Sequence, residues 1–116
     1  MNSTDHRIAA LIKQIVVWLV AGDFTAVVER SGGIRLPADL LSRAIADHRQ
    51  KLVMPPNELF ENLDVIVVSN AAYPTYSVRF DLWTEAEGRS DLILKCTVIA
   101  RKGESLIVEI DNLHVL

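Results

Sequence analysis

The sequence predicts an α+β domain in which three helices come first and an antiparallel sheet follows. Three observations carry this. Apolar residues in the first half recur at spacings of three and four, after Asn62 they fall into β-branched runs and alternation, and Pro55-Pro56 separates the two regimes. Helices laid on one apolar sheet face make a two-layer fold.

Ile8, Leu11, Ile12, Ile15, Val16 and Leu19 form one stripe with Lys13 and Gln14 opposite, which predicts an amphipathic first helix. Gly22 suits a left-handed helix end, and Asp23 can cap a short second helix through Val28 by accepting orphan backbone N–H groups. Ser31-Gly32-Gly33 breaks the chain again. Pro37 at a first helical position, with Leu40, Leu41, Ala44, Ile45 and His48 on one stripe, predicts a third helix ending near His48. Four strands are expected at 63–69, 75–84, 90–100 and 104–115.

The strand registers are constrained because antiparallel partners must place their apolar residues on a common face. A hairpin loop at Arg101-Lys102-Gly103, with Gly103 at positive φ, sets Val98 opposite Leu106, Cys96 opposite Val108 and Leu94 opposite Ile110. Across the loop from Glu85 to Arg89, Thr84 then faces Ser90, Leu82 faces Leu92, Phe80 faces Leu94 and Val78 faces Cys96. One face of the sheet becomes almost wholly apolar.

The chain has 116 residues, half of them hydrophobic, which suffices for one domain with its own core. With a formal net charge of −3 and scattered Lys and Arg there is no basic footprint, and no nucleic-acid partner is expected. Cys96 is the only cysteine, so an internal disulfide is excluded, and its place in an apolar strand reads as a buried structural thiol rather than a nucleophile. The apolar stretch from Ile8 to Val20 is interrupted by Lys13 and Gln14 and falls short of the roughly 20 residues a bilayer needs. With a polar N-terminus and no small-residue cleavage site, a bacterial-type cytoplasmic protein with no membrane partner is the expected placement.

Three early helices followed by a long antiparallel sheet resemble the cone-shaped fold of nuclear transport factor 2 and its cystatin-like relatives. The resemblance rests on element order and maps no catalytic motif onto these residues. A narrower one rests on Leu82-Trp83-Thr84-Glu85-Ala86-Glu87-Gly88-Arg89-Ser90-Asp91-Leu92 and the ending Ile110-Asp111-Asn112-Leu113-His114-Val115-Leu116. These segments are similar to an uncharacterised bacterial family of this size, which implies no activity.

With the expected registers, Thr84, Ser90, Asn112 and His114 gather where the apolar face turns polar, and Tyr76 lies farther along it. This is a candidate pocket rim. A histidine titrating near pH 6.5 can move a proton and Asn112 can orient a carbonyl, while the plainer reading is that both satisfy backbone groups at the open end of a core. The opposite face carries Arg79, Lys95 and Glu109 in one row and Asp81 and Asp111 flanking Ile93 in the next, a grid normally solvated. Trp83, Ile93, Ile99, Ile107, Leu113 and Val115 also point that way, enough apolar surface to expect a homodimer or protein partner covering it.

Asp81, Asp111 and Asp91 are the nearest approach to a hard-cation set, but they sit on flat strands rather than a ligand loop, and nothing places His6 or His48 with His114. No metal or cofactor is assigned. In the 85–91 loop, Arg89 with Ser90 suits an anion, or Arg89 pairs with Glu85 or Glu87 to fix a turn made by Gly88 at positive φ. Two function classes follow. The first is a non-enzymatic binding or protein-interaction module, immunity-like or accessory; the second is a small-molecule binder or isomerase/dehydratase-type enzyme with a pocket between helices and sheet, which rests on fold analogy alone.

Overall fold

A computed structural model of the chain describes residues 3–32, 37–48, 50–101 and 103–115. Gly33 and Lys102, and the side chain of His48, lie outside the described residues. Helices α1 (Ser3–Ala21), α2 (Phe24–Ser31) and α3 (Ala38–His48) precede strands β1 (Leu52–Val53), β2 (Asp64–Val67), β3 (Thr75–Thr84), β4 (Gly88–Ile99) and β5 (Ile107–Val115). The α+β class is the one the sequence predicts.

The stripe on α1 is buried at all six positions, from Ile8 to Leu19. Gly22 (φ +77°) ends the helix, and the Asp23 side chain accepts from Ala26 N–H to start α2, which runs on past Val28 to a left-handed cap at Gly32. On α3, Leu41 is fully buried and Ala44 and Ile45 pack against the core, but Leu40 is exposed, so the apolar stripe is narrower than the sequence suggests.

The sheet is antiparallel throughout, in the order β1-β3-β4-β5, with β2 pairing with β3 on the same edge as β1. β1 and the short 3-10 helix Asn57–Phe60 are absent from the sequence reading. Two residues carry too little pattern to be seen, and Leu52 is drawn into the ladder by pairing with Thr84. Phe60 then stacks on Phe80, ring centroids 5.0 Å apart. The inner sheet face and α1 meet in one buried cluster that includes Ile12, Ile15, Val78, Leu82, Leu94 and Val98.

Two bulges correct the expected registers. Val78 faces Cys96 and Phe80 faces Leu94 as anticipated, but beyond Asp81 the β3–β4 pairing slips, so Thr84 faces Gly88 rather than Ser90. Between β4 and β5 the connection is longer than a three-residue loop, and Val98 faces Val108 and Cys96 faces Ile110. That offset of two leaves each side chain on its expected face. The second bulge does not. Cys96 pairs with Ile110 and Lys95 with Asn112, which leaves Asp111 as an extra residue and turns everything after it over. Leu113 consequently faces Leu94 in the core, and Asn112 and His114 face outward beside Lys95 and Ile93. Thr97 Oγ1 donates to Asp111 Oδ2 at 2.6 Å, holding the bulged residue against the neighbouring strand.

Candidate functional site

The bulges disperse the residues that the sequence groups at a pocket rim. Thr84 and Ser90 do meet, at the β3–β4 hairpin, where both hydroxyls donate to Glu87 Oε1 (3.1 and 3.3 Å) while Glu87 N–H donates to Thr84 Oγ1 (3.0 Å). Ser90 Oγ also accepts from Leu92 N–H. These buried hydroxyls are thus bound to the turn that they stabilise. Asn112 lies on the other face, its Oδ1 accepting from Leu113 N–H, and His114 stands opposite Ile93 on that same face. Tyr76 faces Val98 near the far end of β3. Most of the space between helices and sheet is taken up by the core cluster.

The expected turn at Gly88 forms, with φ +71°. Arg89, however, reaches Asp81 (3.7 Å) rather than Glu85 or Glu87, and Glu85 pairs with Lys51 (3.7 Å). The outer-face residues named for an interface do not make an exposed patch. Leu113 joins the core, Ile93 is buried, and Trp83, Ile99 and Ile107 are half-buried, leaving Val115 exposed.

Exposure concentrates instead on β2 and the segment after it. Ile66 and Val67 are 63% and 68% exposed, and Val68 and Tyr73 are exposed too. Among the described residues β2 pairs only with β3, so its other edge offers main-chain groups along Asp64–Val67 that no described strand takes up. Natural edge strands are normally blunted by Lys, Pro or a bulge. β2 is kept short, at four residues, but the run Asp64-Val65-Ile66-Val67-Val68 has no proline and no cation, and its pairing with β3 is regular. The unbroken β-branched run was the available sequence signal; what the sequence does not show is that no strand covers it. Beside it, a pocket of about 230 Å³ opens between α1, the 3-10 turn and β2, lined by Asp5, Ile8, Phe60, Glu61, Leu63 and Val65.

Cys96 is buried on β4 and burial, reinforced by the nearby Asp111 carboxylate, pushes its thiol up to about 12. A thiol held protonated is a packing group, not a nucleophile. Among the described residues, no three His, Cys, Asp or Glu side chains come together as a metal-binding group. Among them also, no helix is long and apolar enough to cross a membrane.

The fold and its exposed surface define a small α+β domain with helices on one face of an open antiparallel sheet and an edge at β2 that no other described strand covers. The model of a domain of unknown function, DUF7668, matches residues 16–116, and the chain belongs to that family. No curated protein and no solved structure matches the chain.

Proposed function

We propose that this protein is a non-enzymatic interaction module that takes up an extended, aliphatic segment of a partner protein along β2. The observation that carries the reading is the bare edge itself, a β-branched strand with Ile66, Val67 and Val68 exposed. In strand addition, main-chain hydrogen bonds supply affinity and pockets beside alternate side chains supply selectivity. The pocket at Ile8, Phe60, Leu63 and Val65 suits an aliphatic side chain of such a segment. A cation-free edge with Asp64 at one end favours a central stretch without acidic residues.

A second copy is the homotypic case. Antiparallel pairing about Ile66 would set Asp64 against Val68 of the other copy, with no like charges opposed. The dispersal of the expected rim supports this reading over the enzyme one, which rests on the resemblance of the element order to nuclear transport factor 2-like folds. Our reading puts the module in a bacterial cytoplasm, a setting that a single buried free thiol suits.

Hydrogen exchange at β2 amides, measured with and without added aliphatic strand peptides (residues 63–69 of this chain among them), tests the reading. Protection of amides pointing away from β3, abolished by Ile66→Lys, is expected. Ile66 is largely exposed, so the variant should keep its stability within about 0.5 kcal/mol. Sedimentation identifies the homotypic case as a dimer that the same substitution dissolves. Unchanged exchange with every peptide, in a protein that stays monomeric, would overturn the proposal.

A further inference from the structure

The β3 edge is covered in two pieces. β2 pairs with Tyr76 through Arg79 and β1 with Trp83 and Thr84, so Phe80, Asp81 and Leu82 between them have no partner strand on that side among the described residues. At this break lies a groove of about 240 Å³ walled by Asn62, Asp64, Arg79, Asp81, Trp83 and Arg89. Leu59 and Leu63 add an apolar strip.

Both signs of charge are present and only loosely satisfied. Asp81 is shared by two guanidiniums, Arg89 Nε at 3.7 Å from one oxygen and Arg79 Nε at 4.0 Å from the other. These are ion-pair distances, too long for hydrogen bonds. Asp64 stands opposite Arg79 across the β2–β3 pairing. Asn62 gives its Nδ2 to Glu58 C=O (3.0 Å), which leaves Oδ1 for another donor. Trp83 Nε1 is buried and finds no acceptor among the described residues. A Cβ built on Gly88 would stand 3.7 Å from Trp83 Cζ3 and 4.0 Å from Cε3, so the indole edge remote from Nε1 rests on the hairpin. A buried N–H without a partner is uncommon and calls for an acceptor.

We propose that this groove binds a small zwitterion of amino-acid size. Its carboxylate lies against Arg79 and Arg89, which Asp81 holds side by side, with the Trp83 N–H as a further donor. Its ammonium group lies against Asp64 and the Asn62 oxygen. A phosphate-like polyanion would meet Asp64 and Asp81 and a simple cation would meet both arginines, whereas a ligand carrying one charge of each sign complements both pairs. The volume falls below the roughly 300 Å³ at which drug-sized sites begin, which limits the ligand to about one amino acid.

The indole N–H resonance of Trp83 reports binding directly, with Trp18 on α1 as the internal control. The ligands to titrate are free amino acids, their N-acetyl and amide forms, and inorganic phosphate. At least one free amino acid is expected to shift Trp83 saturably below about 10 mM, with both blocked forms at least tenfold weaker. Arg89→Gln, at an exposed site, and Asp64→Asn should each weaken binding about tenfold with the amide spectrum otherwise unchanged. No saturable shift from any amino acid, equal binding of a blocked form or phosphate, or wild-type binding by both variants overturns the proposal.

Discussion

The bulge at Asp111 decides which way the last strand faces, and Leu113→Ala tests it. Without the bulge Leu113 points to solvent, and truncating an exposed leucine changes stability by no more than about 0.5 kcal/mol. With it, Leu113 is 6% exposed and belongs to the main core cluster. Truncating a buried leucine removes its transfer energy and leaves a cavity, together about 2–5 kcal/mol, and about 3 kcal/mol is expected at this strand near the sheet edge. Unfolding entropy of about 2.1 cal/mol/K per residue gives about 0.24 kcal/mol/K for a chain of this length, so Tm should fall by about 12 °C. Urea and thermal unfolding followed by circular dichroism measure both quantities. Asn112→Ala is the control: it removes an exposed side chain with one local hydrogen bond and should cost at most about 1 kcal/mol. A near-neutral Leu113→Ala alongside a strongly destabilising Asn112→Ala would restore the unbulged register and refute the structure's account of β5.

Cys96 predicts a specific alkaline instability. Its folded pKa is raised, so the unfolded thiol ionises first, and stability is intact below about pH 9 and falls as pH rises towards 12. Denaturant titrations at several alkaline pH values should show a shallower decline for Cys96→Ala than for the wild type, and equal slopes would remove the buried thiol as the cause. At the β3–β4 hairpin, Glu87→Ala strips the acceptor from the Thr84 and Ser90 hydroxyls, both buried. A loss of about 1–3 kcal/mol is expected in chemical unfolding, with Glu87→Gln recovering part of it, and a neutral Glu87→Ala would mean that the hydroxyls repartner freely.

Much of the fold was legible because local rules act without competition. The α1 stripe, the Gly22 stop, the Asp23 cap and the positive φ at Gly88 each depend on neighbours in sequence, and each forms as expected. β3 carries a strict alternation and is found at the expected residues, Thr75–Thr84. The candidate site was far less legible. Register reasoning assumes uninterrupted alternation, and one extra residue at Asp111 moves Asn112 and His114 off the face that alternation assigns them with Thr84 and Ser90.

What the sequence determined by itself was the class, the order of elements and the faces of α1 and β3, because helix periodicity, caps and strand alternation are local properties of the chain. Tertiary structure alone decided where the strands slip, that Leu113 is core, and that β2 ends as a bare edge with Ile66 and Val67 in solvent. Those outcomes depend on which strands pair and which edge remains uncovered. A strand's sequence states its preference for pairing but not the identity of its neighbour.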